Sequence, residues 1–392
     1  MPSINSDNLS FVRKARLLDL RELSAFTGIA QSSLEKFEDG SKEPTGKQIA
    51  TLASALGIPS YQLSWNSRPN LEPLPQDFRR KNPRPANLSP RGLRAIYDSK
   101  NSSDFANQLI LITDFQRATF DQDLDRSKSA KRIARQARTL FDEWFSERSE
   151  RLNFSGDRAH VRLGALKLFF EVHGRLAQVN DAPSDDFFGF FITPENGIPS
   201  VFVNRSIQSK KSQLFTFSHE YCHYLLEEEG VSNPYTARNS IERACNKFAA
   251  EFLAPQRETI ALVDELGPTA RSDPDSLIRL VSARTFLSLH ATAIRLKELD
   301  YIGQPDVNRW VKRFAGNFKQ EKVDEAGEGQ NWGPPHAKRI SEIGHLPIYL
   351  ASIAVERGDI DKFDVAESLK LSFKLQEKAF DLAKRRIEAA ID

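Results

Sequence analysis

The chain is short of cysteine, of histidine and of net charge, and it has no long apolar run. Its 392 residues hold only 2 cysteines, Cys222 and Cys245. Two cannot build a disulfide framework, so a reducing, cytoplasmic compartment is expected. Lysine and arginine number 55 against 53 acidic residues, a net charge of +2. No overall basic character exists from which nucleic-acid binding can be read. The start Met1-Pro-Ser-Ile-Asn-Ser lacks the basic residues and apolar core of a secretion signal. No apolar stretch is long enough to span a bilayer. What remains is a chain whose length predicts two or three domains and whose 40% hydrophobic residues can give each a core.

Histidine numbers 7 in all, which gives weight to a pair of them. His219-Glu220-Tyr221-Cys222-His223 places two imidazoles one turn apart on one helix face. A single Zn²⁺ can take both, at about 2.0–2.1 Å each. The intervening Glu220 sits beside the metal, where it can take a proton from bound water attacking a carbonyl. In so histidine-poor a chain, chance produces H-E-x-x-H on the order of once in a hundred. Aromatic and aliphatic neighbours support the helix, and Gly230 is the expected stop.

A catalytic zinc needs a third protein ligand. Downstream, Ser240 to Pro255 reads as an amphipathic helix with Phe248, Ile241, Phe252, Cys245, Ala249 and Leu253 on its apolar arc. Glu242 falls inside that arc, where a carboxylate is expensive unless it is paired or bound to metal. It is the expected third ligand, with Asn246 as a supporting partner. Glu251, on the flank, is the alternative. Cys222 and Cys245 belong to the same helices and read most simply as small buried residues.

With these residues in place, the chain resembles the ImmA/IrrE family of zinc metallopeptidases. His219 to His223 and Glu242-x-x-x-Asn246-x-Phe248-Ala249-Ala250 carry the resemblance. So do the short strands Phe187–Ile192 and Pro199–Asn204 around the turn Pro194-Glu-Asn-Gly197. Cys222 departs from the glycine or small residue common there, and Tyr221 from the usual aliphatic. The resemblance implies an extended substrate that adds to a sheet edge above the metal. Tyr235 is a candidate transition-state stabiliser by position.

The other end carries a second pattern. Short helical stretches begin near Asn8, Asp19, Ala30 and Ile49, with Thr27-Gly28-Ile29 as a turn. This order resembles the Cro/XRE-type helix-turn-helix over roughly residues 8–64, with Glu38-Asp-Gly40 and Pro44 as landmarks. The resemblance implies a dimer reading paired half-sites of a double-stranded DNA operator, with Gln31, Ser32, Ser33 and Lys36 facing the major groove. Acidic residues balance the bases there, and the surplus falls at Arg68–Arg94 and Arg126–Arg138. A protein-docking use of the module stays open.

The expected organisation is a helix-turn-helix domain at 1–66, a Pro-rich basic linker with helices at 67–150, a zincin-like α+β peptidase domain with a small antiparallel sheet at 151–302, and a helical region at 303–392. Asp77-Phe-Arg in the linker resembles a short motif found where such modules are fused. Phe286–Leu299 resembles a second helix-turn-helix-like element, and 320–335 reads as a loop. No internal repeat is present. The expected function is a transcriptional regulator with a zinc-dependent endopeptidase, acting on a Cro-like repressor or another regulator. The alternative is a non-proteolytic repressor or antitoxin whose metal domain senses a signal or grips a partner.

Overall fold

In the N-terminal module, two helix starts are fixed by reciprocal capping. Asp19 and Glu22 cap α2 (Leu20–Thr27), and Thr45 and Gln48 cap α4 (Gly46–Leu56). They follow α1 (Ser6–Ala15) and flank α3 (Gln31–Glu38). Gly28 closes α2 at φ 68°, a left-handed position that suits glycine, and so makes the sharp turn into α3. Leu9, Val12, Leu23, Leu34, Phe37 and Leu52 fill the core. Arg13 clamps Glu38 with two bonds of 2.6 and 2.8 Å, tying α1 to α3.

This computed structural model describes residues 4–69, 71, 75–77, 88–119, 124–207, 209–232, 239–315 and 334–391. After the linker strand β1 (Gln76–Asp77) come α5 (Pro90–Thr113), α6 (Ala130–Leu152) and α7 (Arg158–Val172). Then follow β2 (Leu176–Asn180), β3 (Gly189–Ile192), β4 (Ser200–Asn204), α8 (Lys210–Leu226), β5 (Gly230–Ser232) and α9 (Ser240–Leu253).

The sheet order is β1-β5-β3-β4-β2. The sheet is small, as expected, but mixed: the expected antiparallel pairing holds for β3, and two parallel pairs flank it. β3 runs antiparallel to both β4 and β5, whereas β2 lies parallel to β4 and β1 parallel to β5. The reason is topological. β3 and β4 form the expected hairpin, and β5 takes the free side of β3. β2 therefore pairs beyond β4, and the linker adds at the far edge. One sheet face carries α8. Phe187, Phe190, Phe202 and Val231 join Leu93, Ile96 and the N-terminal module in one apolar cluster. Module and sheet thus share a core.

A second cluster joins α6, α7 and α8 to the C-terminal helices α14 (Pro335–Ile343), α15 (His345–Arg357), α16 (Lys362–Ser368) and α17 (Phe373–Ile391), which bury Leu346, Leu350, Ala383 and Ile387. The intervening helices α10 (Gln256–Arg271), α11 (Pro274–Arg284), α12 (Leu289–Glu298) and α13 (Gln304–Ala315) keep a small core of their own around Leu277, Val281, Leu296 and Trp310. No helix among the described residues is long and apolar enough to cross a membrane.

Candidate metal centre

Helix α8 carries His219, Glu220 and His223, and α9 carries Glu242 and Asn246. The pair packs closely along Tyr221, Phe248 and Phe252, whose rings meet edge to face. Asn239 starts α9 by accepting the Glu242 backbone N–H at 2.8 Å, which fixes Glu242 in the first turn. Its carboxylate then faces the two histidines. Glu242 Oε1 lies 3.2 Å from His223 Nε2, Glu242 Oε2 3.5 Å from His219 Nε2, and the two Nε2 atoms lie 3.2 Å apart. Bonds of about 2.0–2.1 Å at tetrahedral angles require ligand atoms about 3.3–3.4 Å apart. The two Nε2 atoms stand near that spacing, and each lies 3.2 or 3.5 Å from one of the two Glu242 oxygens.

The other ring nitrogens are accounted for. His219 Nδ1 lies 2.9 Å from Asn246 Oδ1, and His223 Nδ1 lies 3.1 Å from the Glu228 carbonyl. Each Nδ1 faces an oxygen and so carries the proton. Both Nε2 lone pairs therefore point at one spot, the arrangement by which outer partners orient metal-binding histidines. Glu242 Oε2 and Glu220 Oε2 are buried without a hydrogen-bond partner. Buried carboxylate oxygens are normally satisfied, so this pair of orphans fits a cation-binding site. The protein groups alone leave strong electrostatic tension. Burial pushes the His219 imidazole down, but Glu242 and Glu220 outweigh it and raise it to about 9. Burial pushes Glu242 up, but His219 and His223 outweigh it and hold it at about 2. His223 is lowered, chiefly by burial. The two histidines thus shift in opposite directions beside one carboxylate: burial lowers both, and the charge of Glu242 outweighs it only at His219. A dication relieves this tension by making both rings neutral ligands.

One oxygen of Glu220 is held by the sheet. The Ser232 hydroxyl of β5 donates to its Oε1. Gly189 of β3 lies against the same carboxylate, where an added Cβ would stand 2.6 Å from Oε1 and 2.8 Å from Thr216 Cγ2. Sequence reasoning missed both residues. The glycine inside Phe187-Phe-Gly-Phe-Phe191 was a usable sign of close backbone approach; Ser232 gave none. The Cys245 sulfur lies within 4.8 Å of the two histidine donors. Both cysteines are buried and free.

The structure also places the alternatives. Glu251 is 1% exposed and faces arginines rather than histidines, Arg135 at 2.8 Å and Arg295 in closer contact. Tyr235 lies outside the described residues. In the N-terminal module, Gln31, Ser32 and Lys36 are exposed on α3, and Ser33 is half-buried. Gln31 Nε2 donates to Glu35 Oε1 at 3.0 Å, so a carboxylate shares that face. Helix α8 ends at Leu226, with Glu227 in the left-handed region at φ 58°, so Gly230 begins β5 instead of stopping the helix.

Fold and site together define a metallopeptidase-type domain behind a helix-turn-helix module. The family model described as the IrrE N-terminal-like domain of the M78 peptidases matches residues 175–297, and a helix-turn-helix model matches residues 10–63. The chain is a fusion of those two domains. No curated protein and no solved structure matches it.

Proposed function

We propose that the protein is a DNA-binding transcriptional regulator whose second domain is a zinc-dependent endopeptidase acting on a repressor-like protein. The observation that carries this reading is the buried cluster in which His219 Nε2 and His223 Nε2 stand 3.2 Å apart and the Glu242 carboxylate reaches one with each oxygen, at 3.5 and 3.2 Å. His219, His223 and Glu242 would hold one zinc per chain, with Asn246 orienting His219. Zinc bound there lowers the pKa of a water toward about 7 and polarises a carbonyl. Glu220 is the proton carrier. Burial is the largest influence on its carboxyl and pushes it up to about 8, against the lowering pull of His219 and Ser232. A dication beside it would pull that value back down, so that the carboxylate could accept a proton from water and return it to a leaving amine. Ser232 fixes one oxygen and leaves Oε2 for that transfer. The N-terminal module supplies operator binding through Gln31, Ser32, Ser33 and Lys36, as a homodimer on paired half-sites. A cytoplasmic setting suits both activities.

One observation favours the non-proteolytic alternative. His219, Glu220 and Glu242 are 0% exposed and His223 1%. A centre sealed to this degree suits a sensor or a partner-gripping domain, unless something opens it.

The test pairs metal content with cleavage. Wild type is expected to hold about one zinc, and Glu242→Ala to lose it. Glu220→Gln is expected to keep zinc and fold and to lose cleavage of a co-expressed Cro-like repressor. Cleavage that persists in Glu220→Gln sinks the peptidase reading.

A further inference from the structure

The catalytic carboxylate has a neighbour that the helices do not supply. Ser232, whose hydroxyl holds Glu220, lies on β5. One side of β5 pairs antiparallel with β3, Ser232 opposite Gly189. Its other side would present an open row of backbone N–H and C=O groups beside the site. Such an edge binds extended peptides by strand addition. Here that edge is taken. The linker strand β1 pairs parallel to it, Gln76 opposite Gly230 and Asp77 opposite Val231. The Asp77 side chain is 1% exposed, so the segment is seated rather than merely adjacent. The centre beneath is the sealed one described above.

We propose that the outer edge of β5 is the peptide-docking surface of this domain and that Gln76–Asp77 is its resident occupant, which an extended substrate segment must displace. Pairing over two residues is short enough for a longer peptide to exchange with it. The linker also ties occupancy to the N-terminal module. Leu71 packs on the apolar cluster that joins the helix-turn-helix core to Phe190, Phe202 and Val231 of the sheet. That the occupant keeps the domain latent rests on the peptidase reading; that it competes for the edge does not.

The test uses the full-length, zinc-loaded protein with Glu220→Gln, so that nothing is cut. The probe is a fluorescein-labelled synthetic peptide with the sequence of residues 73–80. Two linker variants are compared with their parent, Gln76→Pro with Asp77→Pro, and Asp77→Ala alone. The second removes the buried carboxylate without changing the backbone, and circular dichroism checks the fold of both. Freeing an occupied edge raises apparent affinity in proportion to the open fraction, so a gain of about tenfold is expected. Equal affinity in parent and folded variants, or no binding to any of them, overturns the proposal. The same linker variants with Glu220 intact are assayed on β-casein, where faster cleavage than wild type is expected. Tighter peptide binding without any cleavage removes the peptidase reading and leaves the docking surface. Cleavage without tighter peptide binding removes the docking surface and leaves the peptidase.

Discussion

Glu242 and Glu251 stand on one helix, and both are sealed from water, at 0% and 1% exposure. Their separation of nine residues, at about 100° each, sets them on opposite faces. Glu251 faces permanent cations. Burial pushes its carboxyl up, but Arg135 and Arg295 outweigh it and lower it. It also accepts the Gln256 backbone N–H at 3.3 Å. Glu242 faces two imidazoles whose lone pairs point at one spot, and one of its oxygens has no hydrogen-bond partner. Burial alone therefore does not mark a ligand. The partner does: a carboxylate matched by guanidinium is complete, whereas one set between two imidazoles that must share its charge fits a site for a cation.

The comparison breaks most directly at Arg295. It reaches Glu251 from α12 and also bonds the Ala254 carbonyl at 2.9 Å, so it fastens the small α10–α13 core to α9. Arg295→Met leaves Glu251 buried with Arg135 and the Gln256 N–H but without the buried guanidinium. A loss of about 3–5 kcal/mol is expected, read by urea denaturation in excess zinc. Zinc content should stay near one per chain. Loss of zinc from a folded Arg295→Met protein would mean that the two ends of α9 are not independent.

A buried cation sharpens the same point. Lys167 of α7 reaches the Ser341 carbonyl at 3.2 Å and is 4% exposed. Burial chiefly lowers its pKa to about 8, with Glu171 opposing and Lys210 and Arg205 assisting. In the unfolded chain lysine titrates near 10.4. Between those two values the unfolded state binds more protons, so stability rises with pH through that window. Lys167→Met is therefore expected to be more stable than wild type at pH 7 by up to about 3 kcal/mol. The gap should close as pH climbs from 8 toward 10. A gap that does not change with pH would show that Lys167 is already satisfied by Glu171.

What was legible in the sequence follows the same divide between local and distant causes. The H-E-x-x-H spacing, the apolar arc around Glu242 and the turn at Thr27-Gly28-Ile29 are encoded within a few residues, and the structure forms the helices and the sharp turn they predict. The β3–β4 hairpin is local too. Ser232 on Glu220, β1 on β5 and Arg295 on Glu251 join residues far apart in sequence, and no periodicity announces them. Glu251 looked like a flank residue because its partners come from α6 and α12. The end of α8 shows local propensity giving way: Gly230 was the better stop signal, yet the helix closes at Glu227 because β5 must begin at once to reach β3. The C-terminal helices read only as helical, and what they do is close the core through contacts such as Trp144 Nε1 to the Ala390 carbonyl at 3.0 Å.

Asn246 tests whether the orienting contact matters as much as the ligand. Its Oδ1 lies 2.9 Å from His219 Nδ1 and fixes which ring nitrogen carries the proton. Asn246→Ala is expected to weaken zinc by about 10–100-fold, measured by competition with a chelator, while the fold persists. That is a smaller effect than the loss expected for Glu242→Ala. Equal losses would place Asn246 among the ligands.

The smallest effect is expected where charge is exposed. On α3, Lys36 stands in solvent, and Gln31 shares its face with Glu35 at 3.0 Å. Water screens each of these groups, unlike the carboxylates of α9. If Lys36 meets a phosphate, Lys36→Ala should weaken binding to operator and to random duplex alike and lower the salt slope by about one. If Gln31 reads a base, Gln31→Ala should leave the slope unchanged and narrow the difference between operator and random duplex by about 1–3 kcal/mol. Glu35→Gln removes the negative charge beside Gln31 and should tighten both complexes slightly. The measurement is fluorescence anisotropy on duplex recovered by selection with the full chain, at several salt concentrations. Salt slopes that none of the three substitutions moves would turn α3 from a DNA-reading helix into a docking face for protein.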